Sequence, residues 1–334
     1  MTVDIAAITY DVELITKEGQ RYLLNPALLS LQWEEQIGEL AQRATITAAN
    51  MALGNTWLMA LAQINCGIVI YAKWGGAKTL LFDGTIWEWQ YVSGTQKELT
   101  ITAYDYLIRL QQSKDFKYYA AGMTTQAIIG DICKDWGIPL AYQWGQSLTH
   151  EKKIFSAEKL SDIIISLLEE VQQKTGEKYV AYYRDKQLQI AGYGANTPVY
   201  RFDGQTAVST SNKLTINNLV TQVKIIGKED AEGKAPVDDT LRGDTRYGVL
   251  QEIIRRDDNK TLAAARAEAR TILKKQGQPE EMIQLSGPDL PFTRKGEKVE
   301  VSAGNLIGFF FIEGVTHDAT TRQMTLTLSR TAKE

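Results

Sequence analysis

The sequence predicts an α+β fold, mainly β, in which two related β-barrel-like domains flank a small α/β insert domain. Three observations carry that reading. A two-strand pattern near residue 80 returns near residue 311, short alternating runs fill the first hundred residues, and from Thr124 the apolar period lengthens to that of a helix.

In the first copy of the repeat Gly67 opens the run Ile68-Val69-Ile70-Tyr71, Gly75-Gly76 breaks it, Leu80-Leu81-Phe82-Asp83-Gly84-Thr85-Ile86 follows, and Leu99-Thr100-Ile101-Thr102 closes. In the second, Gly296 precedes Val299-Glu300-Val301, Ala303-Gly304 breaks it, Phe310-Phe311-Ile312-Glu313-Gly314-Val315 follows, and Leu326-Thr327-Leu328 closes. The spacing nearly holds, since Gly67 to Gly84 is 17 residues and Gly296 to Gly314 is 18. Two related β-domains per chain are how a trimer can present six similar units to a six-fold partner.

The first β-domain is expected over 1–112. Strands are expected at 10–15 and 44–48, with Lys17-Glu18-Gly19-Gln20 as a hairpin turn. The strongest strand pair is 80–91 against 98–104, joined through Ser93-Gly94-Thr95-Gln96, where glycine would supply a positive φ. A short helix is expected at 104–111.

The insert is expected over 113–195. Ala127, Ile128, Ile129, Ile132, Cys133 and Trp136 share a helical face, with Thr124 or Thr125 as cap and Gly137 as terminator. A second helix places Leu160, Ile163, Ile164, Leu167, Leu168 and Val171 on one face and ends near Gly176; 179–183 and 187–191 then read as a hairpin.

The second β-domain is expected over 196–334, beginning with a strand at 219–226. The segment 228–247 is charged, holds Gly233, Pro236 and Gly243, and has no apolar period, which predicts a mobile loop. A strand at 249–255 precedes a helix over 260–276, capped by Asn259 and stopped before Gly277 and Pro279. Its alanine-rich stripe suits close approach to a sheet, while Arg266, Arg270 and Lys274 line another face. The chain closes in a hairpin of 309–317 and 323–329.

Composition narrows the function. The 334 residues, 44% of them apolar, can fill more than one core. A formal charge of −3, from 37 basic and 40 acidic residues, provides no polycationic surface for nucleic acid. The start Met1-Thr2-Val3-Asp4-Ile5 has no secretory-signal character and no apolar run reaches bilayer length, which predicts synthesis as a soluble cytosolic chain without membrane insertion. Cys66 and Cys133 read as reduced, buried small hydrophobes rather than a disulfide.

Reaction chemistry finds little purchase. His150 and His317 are the only histidines, neither in a nucleophile motif, and both read as solvated residues. No CxxC, HExxH or EF-hand spacing occurs, and Gly192 and Gly194 do not make a phosphate loop. The acidic pairs Glu34-Glu35, Glu169-Glu170, Asp257-Asp258 and Glu280-Glu281 point apart and read as solvated faces. Trp87, Trp89 and Tyr91 are expected on one strand face, as sheet packing before sugar stacking or subunit contact. Arg242-Gly243-Asp244 matches an adhesion motif by letters alone. No catalytic residue, metal ligand or cofactor is therefore expected.

Three stretches, in order, resemble a known family: Leu81-Phe82-Asp83-Gly84-Thr85-Ile86 leading to Leu99-Thr100-Ile101-Thr102-Ala103-Tyr104-Asp105-Tyr106-Leu107; Met123-Thr124-Thr125-Gln126-Ala127-Ile128-Ile129 with Trp136-Gly137-Ile138; and Tyr247-Gly248-Val249-Leu250, the alanine-rich helix, and Phe311-Ile312-Glu313-Gly314-Val315-Thr316-His317 leading to Leu326-Thr327-Leu328-Ser329-Arg330. The chain resembles the baseplate hub proteins of contractile phage tails and phage-tail-like bacteriocins, in the PBSX-prophage-like branch related to the late control D family. That resemblance implies a homotrimer whose two tube-like domains per chain form a pseudo-hexameric ring in the particle baseplate. The ring would join the tail tube protein to a trimeric spike, beside other baseplate proteins, with a tape measure protein as a further candidate partner and with no cofactor, enzymatic turnover or specific nucleic acid. The 228–247 loop and the β-edges are the expected contact regions. A peptidoglycan-binding or cell-wall-degrading tail protein is the alternative, because 124–140 loosely resembles LysM repeats. DNA binding through Arg266, Arg270 and Lys274 is the third reading.

Overall fold

The computed structural model describes residues 5–94, 97–143, 148–229, 232–256 and 260–331. Strand accounts for 49% of the chain and helix for 18%, so the fold is mainly β. The chain divides into two compact units, Met1–Thr210 with Gln284–Glu334, and Ser211–Ile283.

The first unit begins with β1 (Thr9–Ile15), β2 (Arg21–Leu23), β3 (Leu28–Glu35) and β4 (Arg43–Ala49). The short β5 (Ala52–Leu53), β6 (Thr56–Trp57) and α1 (Leu58–Leu61) lead to β7 (Gly67–Trp74), the long β8 (Ala77–Val92) and β9 (Glu98–Tyr104). Period-two alternation buries Val12, Leu14, Leu31, Trp33, Ala44, Ile46, Leu99 and Ile101 in one core. Gly75 and Gly76, at φ 56° and 80°, close the β7–β8 hairpin with the two positive φ values that a two-residue turn needs.

Within the same unit follow α2 (Ile108–Gln112), β10 (Lys114–Tyr119), α3 (Thr125–Asp135), β11 (Leu140–Gln143), β12 (Lys153–Lys159), α4 (Leu160–Thr175), β13 (Tyr179–Arg184) and β14 (Gln187–Gly192). Thr124 Oγ1 accepts from Ala127 N to cap α3, and Gly176 ends α4 in the left-handed conformation. The predicted faces of both helices, from Ile128 to Cys133 and from Leu160 to Val171, form a second core with Leu188 and Ile190. Pairing of β10 with β12 and parallel pairing of β11 with β14 complete it.

The chain then runs through β15 (Tyr200–Asp203) and β16 (Ser209–Thr215) into the second unit, with β17 (Gln222–Ile226), β18 (Val237–Arg242), β19 (Gln251–Arg255) and α5 (Leu262–Gln276). Val223, Ile225 and Ile254 of this small sheet pack on Ala265 and Ala269 of α5, where small side chains allow close approach. Within the segment expected as a mobile loop, 228–247, of which 230 and 231 lie outside the described residues, the reading changes at one stretch. Val237–Arg242 pairs antiparallel with β17, and Gly243 N donates to Thr221 O at 2.8 Å. The pattern hid this strand because Leu241 is its one residue packed against the core. The helix starts at Leu262, capped by Thr261 Oγ1; Asn259 lies outside the described residues.

Strand β20 (Glu280–Pro288) returns the chain, and β21 (Lys298–Ala303), β22 (Leu306–Asp318) and β23 (Gln323–Arg330) finish it. The large sheet of the first unit runs β20-β23-β22-β3-β4-β9-β8-β7-β1-β2. Both copies of the sequence repeat fold as antiparallel three-strand meanders, β7-β8-β9 and β21-β22-β23. The two lie in one continuous sheet, because β22 also pairs with β3.

Two local readings change. Gly94 has no positive φ; Lys97 does, at 46°, while Thr95 and Gln96 of the turn lie outside the described residues. Trp87, Trp89 and Tyr91 do not share a face, because a bulge between Ile86 and Glu88 inserts one residue and shifts the alternation. Trp89 and Tyr91 pack on the core, and Trp87 stays exposed with its edge to Tyr104.

Candidate functional site

The conspicuous polar residues of the first unit are buried and bound to backbone or to one another. His317, read from sequence as solvated, is 1% exposed and stacks on Trp33 with ring centroids 4.8 Å apart. Its Nδ1 lies 2.6 Å from Asp289 Oδ1 and its Nε2 3.0 Å from Thr293 O, while Tyr10 OH donates to the other Asp289 oxygen at 2.7 Å. With an oxygen at each ring nitrogen, the imidazole clamps β22 to the loop after β20.

His150 is corrected in the same way. It is buried, with Nε2 2.7 Å from Thr125 Oγ1 and Nδ1 3.1 Å from Glu170 Oε2. Burial lowers its pKa against the pull of Glu170. Burial would raise Glu170, but Lys153 and Lys174 outweigh it and hold that carboxyl down to about 2.

A charge network joins β3, β13 and the loop after β20. Arg294 Nε donates to Glu35 Oε1 at 3.1 Å, Lys295 N donates to Glu35 Oε2 at 2.9 Å, and Arg294 sits 4.7 Å over the Tyr182 ring. Burial opposes charge on Glu35, yet Arg294 and Lys295 keep its carboxyl below the usual range. Nearby, burial pushes Asp105 up to about 7 even though Gln42 N and Leu107 N both donate to it at 2.9 Å. Burial lifts Glu297 likewise to about 7. A cavity of about 590 Å³ opens beside this network between Trp33, Phe82, Tyr183 and Arg294.

Glu313 is the residue of β22 skipped at the bulge before Gly314, and it is 6% exposed. It accepts from Lys178 Nζ, from Tyr193 OH at 3.0 Å and from Ser329 Oγ. Sequence reasoning placed Glu313 and His317 in one motif without a role; both tie β22 to distant segments. The acidic pairs divide, with Glu35 buried and Glu281 bonded to Asn212.

The surface offers other candidates. Phe116, Tyr118 and Ile154 are exposed on the β10–β12 ribbon, a feature the charged residues around them concealed in the sequence. The basic stripe of α5 is partly neutralised, since Arg266 Nε donates to Asp239 Oδ2 at 2.5 Å from β18. In Arg242-Gly243-Asp244, Arg242 bonds to Gln222 and Asp244 to Arg246. Cys66 and Cys133 are free and buried. Among the described residues no three His, Cys, Asp or Glu side chains converge as a metal site, and no helix is long and apolar enough to cross a membrane.

A mainly β chain carrying two meanders in one sheet, with its buried charges spent on tying strands together, has the fold of phage tail proteins. It superposes with a TM-score of 0.67 at 12% identity on the 43 kDa tail protein of prophage MuSo2 from Shewanella oneidensis, over 96% of this chain and 98% of the other. With a TM-score of 0.55 at 13% identity it matches the Escherichia coli c3393 protein, over 92% of this chain and 74% of that one. That protein is described as a type VI secretion component with structural similarity to the T4 tail proteins gp27 and gp5. In sequence the chain is 24% identical over 243 residues to the uncharacterized protein YqbQ of Bacillus subtilis strain 168, covering 72% of this chain and 73% of the relative. Residues 31–329 match the model of the YQBQ-like family, and the chain belongs to that family.

Proposed function

We propose that this chain is the structural hub of a contractile tail baseplate, adapting a six-fold tail tube to a three-fold spike without catalysing a reaction. The observation that carries this reading is the recurrence of one meander, β7-β8-β9 and β21-β22-β23, within a single chain. Three copies would then offer six similar strand sets to a tube. In this reading 1–112 and 196–334 are the tube-like domains and 113–195 is the insert between them in sequence. The likeness to a tail protein and to a secretion component supports it.

Partners in this scheme are other copies of the chain, the tube protein and the spike protein, in a phage or phage-tail-like particle. The test is solution mass by light scattering, taken alone and with the spike protein added. A trimer in either condition supports the hub; a monomer in both, at high concentration, rejects it.

A further inference from the structure

A cleft of about 520 Å³ opens at the end of the β21–β22 hairpin, between the α4–β13 turn, the segment after β14 and the end of β23. Its walls are aromatic: Tyr193, Phe309, Phe310 and Phe311. Its polar heads are cationic. Lys178 lies 4.2 Å over the Tyr193 ring, Lys298 5.4 Å over Phe309, and the Arg330 guanidinium 5.6 Å over Phe310. Among the described residues no carboxylate lines the cleft.

The one acid beneath it, Glu313, already binds Lys178, Tyr193 and Ser329. Lys298 has no carboxylate within ion-pair distance among the described residues, so its ammonium is held by an aromatic face alone. At the mouth Ile307 is 75% exposed and Phe309 49%, with Gly308 between them at φ 123°. At the floor, a Cβ on Gly194 would come within 2.8 Å of the Phe311 ring, so glycine permits the close wall.

We propose that this cleft receives an extended acidic segment of a partner polypeptide, with an apolar side chain held between Ile307 and the aromatic wall and a carboxylate on Lys298. Charge decides the occupant. A basic segment would meet Lys298, whose ammonium has no counter-charge among the described residues, and a wholly apolar one would strip water from it without replacing it. Aromatic walls beside cations also suit stacked bases, so single-stranded nucleic acid is the competing occupant that the test separates. The assignment stands on the chemistry of the cleft and holds whatever particle the chain builds.

The test is fluorescence anisotropy on the full chain with a labelled short peptide alternating glutamate with isoleucine or phenylalanine. Binding should weaken about tenfold when lysine replaces glutamate in the peptide, and by a similar factor in Lys298→Glu. Ile307→Ser, at a position too exposed to disturb the fold, should also weaken it. Equal affinity for both peptides, or affinity unchanged in both variants with thermal melting intact, overturns the proposal. Tighter binding of labelled oligothymidylate than of the acidic peptide overturns it in favour of a nucleic-acid groove.

Discussion

Arg294 reaches across 259 positions of sequence to place its Nε 3.1 Å from Glu35 Oε1, at a point where strand β3, strand β13 and the loop after β20 converge. The pair holds together three segments that are remote in the chain. Glu35 is almost fully enclosed and Arg294 nearly so, which makes the pair costly to break from one side.

Arg294→Ala should therefore destabilise the first unit by about 3–5 kcal/mol, because Glu35 loses its guanidinium partner and keeps the Lys295 backbone N–H and charge alone to answer its own. The double substitution Glu35→Leu with Arg294→Met should cost less than Arg294→Ala alone. Urea unfolding of the three proteins measures both; equal losses would mean the charge itself is unimportant.

His317→Phe keeps a ring on Trp33 but leaves Asp289 and Thr293 O without their imidazole partner. A loss of about 2–4 kcal/mol is expected from the buried acceptors left behind. Asp289→Asn in the same background should recover part of it, since a neutral amide costs less to bury. Chemical denaturation of single and double variants gives the comparison.

Asp105 and Glu297 both titrate near 7 in the fold and near 4 when unfolded. Between those values the folded chain keeps protons that the unfolded chain has lost. Their contribution is thus complete below about pH 4 and disappears as pH rises through about 7. Glu297→Gln should flatten this decline in unfolding free energy, and a pH series of melts shows whether it does. His150 acts in the opposite direction: its lowered pKa removes stability as pH falls below about 6.5, and His150→Gln should blunt acid unfolding of the insert.

Gly84→Ala should disrupt the first meander, because the new Cβ would lie 2.2 Å from Tyr104 O and 2.6 Å from the Phe82 ring. Backbone cannot yield as a flexible side chain can, so a loss of about 3 kcal/mol or more is expected. Gly54→Ala is the control. At φ 66° with open space around it, that site should lose about 1 kcal/mol from backbone strain alone. Similar melting temperatures for both variants would contradict the packing at Gly84.

Much of the fold can be read from the sequence because its signals are local. The hairpins are marked by glycine pairs or short polar turns such as Asp185-Lys186, both at positive φ, and α3 and α4 by apolar residues at helical spacing. What escapes has a different physical character. One extra residue at Trp87 reverses the facing of a strand without changing its composition. Strand β18 is held by backbone pairing rather than by apolar side chains, and Asp239, counter-ion to Arg266, hides within it. His317 and Glu35 look exposed beside their polar neighbours; only their distant partners Trp33 and Arg294 explain their burial. The cleft beneath Phe309 is likewise assembled from segments too far apart for any local pattern to announce it.

The pairing of β22 with β3 has a consequence for biosynthesis. Residues 315–318 close the ladder against residues 32–35, so the free margin of β3 waits until about 280 further residues have been translated. Until then a growing polypeptide carries unpaired backbone donors and acceptors along β3, while β4 is covered early by β9. Such a margin invites pairing with other nascent chains, and closure of a loop this long is slow. The step that completes the sheet is the same step that ends its exposure to misassembly, which makes β22 a built-in check that only chains translated beyond it can pass.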